Sequence, residues 1–147
     1  MRMEQDKPKV AILVTKSRTT LDPALVAGFP ERVVATIGQV MARAGLVQVG
    51  VTRDGYELRL SLDGPSQSSP GGPLSLKVDL FLLQAETQKR IATETHSSRF
   101  AVEGTTVERA LAQHLGKLAV SDAMKRITAE VQKDIATRAE IRRKRQG

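Results

Sequence analysis

At 147 residues the chain is one domain by size, long enough to bury a continuous core without staples. Its 40 % hydrophobic and 27 % charged residues exclude collagen-like and wholly disordered chains, and the lack of cysteine excludes disulfides, thiolate metal sites and a cysteine nucleophile. The net charge of +7 is unevenly placed: residues 138–147 hold five cations against Glu140, giving +4, while the other 137 residues carry +3.

Aromatic residues make up 3 % of the chain (Tyr56, Phe29, Phe81, Phe100), so the core must be built from Val, Leu, Ile and Ala. A function that needs stacked rings is disfavoured for the same reason. Apolar runs are short, as at Val10–Val14, far below the roughly 20 residues that span a bilayer. Met1-Arg2-Met3 leads into Glu4, Gln5, Asp6 and Lys7, with no apolar signal core. The expected location is periplasmic if a leader has been removed, and cytoplasmic otherwise.

Met1–Pro8 is polar and reads as a flexible N-terminus. Lys9–Thr15 is β-rich with a continuous apolar run, the pattern of a central strand. Asp22-Pro23 offers a cap followed by proline at a first helical position, and Pro30 interrupts what starts there. Glu31–Ala44 places Val33, Val34, Ile37, Val40 and Met41 on one helical face, and Gly45 reads as the C-cap. Val47, Val49 and Val51 then alternate, as do Tyr56, Leu58, Leu60 and Leu62; Asp54-Gly55 between them predicts a hairpin. Asp63–Pro73, with three prolines and no apolar side chain apart from those rings, predicts a solvated loop. Leu74–Leu83 alternates again, and Arg90–Val102 reads as a polar, Thr-rich edge strand.

The last segment, Thr105 to about Ala139, reads as one long helix opened by a Thr105/Glu108 capping box. An apolar row stands at every fourth position from Val107 through Leu111, Leu115, Ala119, Ala123, Ile127, Val131 and Ile135 to Ala139. Four residues turn about 400°, so the row drifts roughly 40° per step and roughly 320° in all. One straight helix cannot keep that row on one sheet. Val107–Ala123 is therefore assigned to the domain's own core. Beyond it the helix must bend or present Ile127, Val131, Ile135 and Ala139 to a partner, and the partner is the expectation.

The chemistry-bearing residues are sparse. The glycines match neither the dinucleotide nor the Walker spacing. His96 and His114 fall short of the three or four ligands a metal site needs. Glu94, His96 and Ser98 share one strand face but stand about 7 Å apart, beyond hydrogen-bond reach. Arg142-Arg143-Lys144-Arg145, with Arg138, forms a like-charge block able to bind nucleic acid or an anionic lipid surface; helix-end chemistry is the reading favoured over that, because cations favour a helix C-terminus and a polar tail aids solubility.

Residues 76–95 (Leu-Lys-Val-Asp-Leu-Phe-Leu-Leu-Gln-Ala-Glu-Thr-Gln-Lys-Arg-Ile-Ala-Thr-Glu-Thr), then Ala-Val-Glu-Gly-Thr-Thr and an Ala-rich helix, resemble a module of bacterial envelope proteins. The families are the curli-secretion lipoproteins, the penicillin-binding-protein activators and the flagellar assembly protein T type. Their strand–turn–strand carries a D-x-x-T-G turn; here Ala85-Glu86-Thr87-Gln88 replaces it, with Gln88 where glycine is usual. The resemblance implies a non-enzymatic assembly or scaffold role in the cell envelope.

The elements thus predict an α+β two-layer sandwich, in the order β-α-β-β-β-β-α, with about five mostly antiparallel strands and helices on one face. The expected domain spans 9–137, followed by a basic tail at 138–147. No enzyme activity, cofactor, metal or small-molecule substrate is expected. The expected function is docking into a larger assembly, by protein partner or self-association, through Ile127, Val131, Ile135, Ala139 and a sheet edge. The alternative is nucleic-acid or anionic-surface binding through Arg138, Arg142, Arg143, Lys144 and Arg145.

Overall fold

Alternating side chains build the sheet, and one-sided apolarity decides where the helices lie. The computed structural model describes residues 7–102 and 104–146, so the expected flexible N-terminus falls mostly outside the described residues. Those residues form β1 (Lys9–Arg18), α1 (Phe29–Arg43), β2 (Val47–Val49), β3 (Tyr56–Gln67), β4 (Leu74–Gln84), β5 (Arg90–Phe100), α2 (Val107–Ala119) and α3 (Asp122–Gln146). A 3₁₀ turn at Pro23–Leu25 is capped by Asp22, whose Oδ1 accepts the Ala24 amide at 3.0 Å.

The strand order is β2-β1-β3-β4-β5, with β5 at one edge. Within it β3, β4 and β5 form an antiparallel meander, and β1 runs parallel to both of its neighbours. Register places Val10 beside Tyr56, Ile12 beside Leu58, Leu58 beside Leu82 and Leu60 beside Leu80. All of these point to the same side. There they join Val33, Ile37 and Met41 of α1, Leu111, Leu115 and Leu118 of α2, and Ile127 and Val131 of α3 in one buried cluster. The fold is an α+β two-layer sandwich with an open second face.

The expected hairpin is absent. Val47–Val49 and Tyr56–Gln67 do not pair; both run parallel to β1, on opposite sides of it. Asp54-Gly55 serves a crossing beneath the start of β1: Gly55 sits at φ +78°, and a Cβ there would overlap the Lys9 carbonyl. The Asp63–Pro73 loop is shorter than expected, since β3 runs on to Gln67 with Gly64 and Pro65 buried.

The single long helix is two. Its N-cap is Thr106, one residue after the expected Thr105; the Thr106 hydroxyl accepts the Arg109 amide at 3.1 Å. α2 ends at Ala119, and Ser121 restarts the chain by accepting the Met124 amide on Oγ at 3.2 Å. The same hydroxyl donates to the Leu118 carbonyl at 2.7 Å, tying the end of α2 to the start of α3. The break resets the helical phase, so Ile127 and Val131 return to the sheet and are 0 % exposed. That corrects their assignment to a docking stripe. Ile135 is partly buried against the same core, and Ala139 is partly exposed.

Leu118 is fully buried where α2 meets the core. Leu118→Ala is expected to cost about 2–5 kcal/mol, as large-to-small core changes do, measured by urea unfolding. A change inside about ±0.5 kcal/mol, the range of surface substitutions, would contradict this packing.

Candidate interaction surface

Asp134 fixes where α3 leaves the domain. Its Oδ2 accepts the Tyr56 hydroxyl at 2.6 Å and lies 3.0 Å from Arg138 Nε, and its Oδ1 accepts Gln84 Nε2 at 3.0 Å. The Arg138 guanidinium also stands 5.6 Å from the centre of the Tyr56 ring, a cation–π contact. Burial, then the bond to Asp134, pushes the Tyr56 hydroxyl above the usual phenol range, so it stays a donor. Tyr56 opens β3 and Gln84 closes β4, so this clamp pins the helix to one end of the sheet.

Past the clamp the helix continues. Residues 139–146 extend about 12 Å at the usual helical rise. The expected basic tail is thus the last part of α3, continuous with the core-packed turns. Arg138 is held by Asp134 and Tyr56, and Arg143 lies 3.7 Å from Glu140 in an exposed pair. Arg142 and Arg145 meet across a cleft of about 510 Å³ with Gln84, Glu86 and Thr87 of the β4–β5 turn. Lys144 is exposed and lies outside that cleft lining. Of the five cations, the fold brings Arg138, Arg142 and Arg145 together, and Arg143 and Lys144 fall on other sides of the helix. Ile141, between them, is 46 % exposed.

The β4–β5 turn next to this cleft carries Gln88 at φ +60°, the position where the resembled turn has glycine. Its side chain compensates: Nε2 donates to the Ala85 carbonyl at 2.9 Å and to Glu57 at 3.2 Å. Glutamine therefore occupies a left-handed position by tying the turn to the sheet.

A second polar group lies inside the domain. His114 is 0 % exposed, with Nδ1 2.5 Å from Ser98 Oγ and its ring edge-on to Phe100 at 4.7 Å. Its Nε2 has no hydrogen-bond partner of good geometry, nor has Nε2 of His96. Burial lowers the His114 pKa to about 4, partly offset by the Leu74 backbone and pushed further down by His96. So Ser98 meets His114 and not His96, and Glu94 is taken by Arg126 at 2.8 Å. The Ser98 hydroxyl thus meets a neutral, buried imidazole to which no carboxylate bonds among the described residues. Among the described residues no cluster of three or more potential metal ligands occurs, and no helix is long and apolar enough to cross a membrane.

Sequence reasoning missed both groups. Tyr56 and Asp134 are 78 positions apart, and Ser98 and His114 are joined by a strand–helix contact. A tyrosine placed at an inward strand position was the one available signal, since a buried hydroxyl needs a partner.

No protein-family model matches the sequence, and no curated protein is significantly similar to it. Solved structures share the fold. Hypothetical protein CT253 from Chlamydia trachomatis superposes with a TM-score of 0.58 at 15 % identity, over 86 % of this chain and 99 % of that one. Protein XCC0632 from Xanthomonas campestris, of family-model DUF330, gives 0.55 at 15 % identity, over 88 % and 91 %. A PelC dodecamer from Paraburkholderia phytofirmans gives 0.53 at 13 % identity, over 77 % and 87 %. The chain is thus an α+β module of a fold found in these bacterial proteins. The likeness reaches the module in general, not the particular families named from the sequence.

The buried imidazole sets a pH dependence. Unfolded, His114 gains its proton near pH 6.5; folded, it resists until about pH 4. Stability is therefore full above about pH 6.5 and is lost as pH falls towards 4, by roughly 3 kcal/mol in all. Urea midpoints across that window should fall in the native chain, and His114→Gln should flatten the fall; an equal slope in both would refute the assignment.

Proposed function

We propose that the chain is a non-enzymatic interaction module of the bacterial cell envelope that assembles with further copies of itself. The observation that carries this reading is the overhang of α3: a helix pinned by Asp134 projects past its own sheet and leaves Ile141 nearly half exposed. Helical turns with no core of their own gain stability by packing on something else. The PelC structure of like fold is a dodecamer, which supports self-association. The sequence resemblance of residues 76–135 supports the envelope as the place. A ring of many copies needs a head-to-tail contact between two different patches. The second patch on this chain is the β2 edge and the segment after it, where Val47 is 40 % and Val51 87 % exposed.

A second reading, with the same end of α3 on an anionic surface, rests on Arg142 and Arg145, which form no ion pair among the described residues yet share one cleft. Salt separates the two. Tail-driven binding to phosphates falls steeply with ionic strength, and apolar helix docking responds far less.

Sedimentation velocity of the whole chain is expected to show a species larger than the monomer. Ile141→Asp, or removal of 139–147, should return it to monomer with an unchanged circular dichroism signal from the core. A monomer at every concentration, or an oligomer indifferent to both changes, would overturn the reading.

A further inference from the structure

The open face of the sheet divides into two halves of different chemistry. At the end near the β4–β5 turn its charges are matched. Arg59 lies 2.9 Å from Glu57 and bonds Gln88, Arg90 stacks 5.2 Å over Phe81, and Asp79 accepts the Thr95 hydroxyl at 2.7 Å. At the opposite end, near the β3–β4 connection, Arg18 pairs with Asp63, but Lys77 and Arg99 are left over.

There, register sets Lys77 opposite Ser97 and Ser75 opposite Arg99. The four side chains share the exposed face and form a two-by-two block, with cations on one diagonal and hydroxyls on the other. Diagonal neighbours on adjacent antiparallel strands stand about 7–8 Å apart at the backbone. Lys and Arg stems of that reach can bring both charged heads onto one small anion between them, flanked by the two hydroxyls. Neither Lys77 nor Arg99 forms an ion pair among the described residues. The nearest carboxylate in register, Asp63, faces Lys77 from β3 but lies 3.8 Å from Arg18 on its other side.

The block is also concave. All four residues line a cleft of about 400 Å³, whose floor is shaped where β3 shifts register between Asp63 and Ser66. Gly64 in that bulge sits at φ +114°, and a Cβ on it would come 2.5 Å from the Ser75 carbonyl, so the strands close up only with glycine there. Asp63 and Ser66 line a second cleft, which adds Arg18 and the hydroxyls of Ser17, Thr19 and Thr20. The two form one trough in which three cations, Arg18, Lys77 and Arg99, and several hydroxyls outnumber the one carboxylate, Asp63, and among the described residues no aromatic ring lines it for neutral sugar or base stacking.

We propose that this trough is a binding site for a ligand bearing an oxyanion, phosphate or carboxylate, held by Lys77 and Arg99 with Ser75 and Ser97. The site lies on the face opposite the helices and is independent of self-association through α3.

The test is an amide chemical-shift titration of the full chain with inorganic phosphate and with citrate, against sodium chloride at matched ionic strength. Saturable shifts are expected at Ser75, Lys77, Ser97 and Arg99 with the oxyanions and not with chloride. The double variant Lys77→Met with Arg99→Met, both at exposed positions, should weaken binding at least tenfold with an unchanged unfolding midpoint. Arg142→Met should leave it unaltered. Co-sedimentation with phosphatidylglycerol vesicles, compared with phosphatidylcholine, separates the sources. Capture lost in the double variant assigns a lipid headgroup, and binding of the free anions alone assigns a soluble ligand. Shifts that chloride reproduces, or that survive the double variant, overturn the proposal.

Discussion

The rest of the structure depends on the interruption at Val120–Ser121. A helix whose apolar row repeats every four residues turns that row steadily away from a flat neighbour. Ser121 stops the drift: by bonding the Leu118 carbonyl and the Met124 amide it ends one helix and caps the next within two residues. Each half then presents its own segment of the row to the sheet, Leu111 and Leu115 from α2, Ile127 and Val131 from α3. With both halves seated, one helical layer covers the same face of β3, β4 and β5 and leaves the other to solvent.

That seating decides the course of the last turns of α3. The clamp of Tyr56, Gln84 and Arg138 on Asp134 lies at the end of the sheet, so the residues after it have no strand left to cover. Arg142 and Arg145 come to face the β4–β5 turn for that geometric reason, and Ile141 is left half open. Basic residues at a helix C-terminus are favoured by the macrodipole wherever they are used. Their charge therefore says less about function than does their position beyond the sheet.

Polar groups inside and outside the sandwich follow different rules. His114 is tolerated in the core because it stays neutral and bonds Ser98, at the cost of an Nε2 without a good partner. On the open face water satisfies polar groups, and strand register sorts them. The Arg59–Glu57 pair sits at one end, and at the other Lys77 and Arg99 stand unpaired among hydroxyls beside the Arg18–Asp63 pair. The same alternation that drives Leu76, Val78 and Leu80 into the core sets Lys77 and Asp79 outside.

What the sequence determined by itself was everything governed by local period: α1 from its apolar face, the alternating strands β3 and β4, the polar edge strand β5, and with them the two-layer class. Short-range signals misled where a distant contact outweighed them. Asp54-Gly55 reads as a hairpin turn, yet β1 pairs with the strands on either side of it, and Gly55 is required by its approach to Lys9. The apolar row reads as a docking stripe because its drift is calculated for one straight helix, and the bonds of a single serine cancel it. Only the tertiary structure could bring Tyr56 to Asp134, Ser98 to His114, and Lys77 beside Arg99. Each of those meetings is fixed by strand register and helix seating, quantities that depend on the whole core being closed at once.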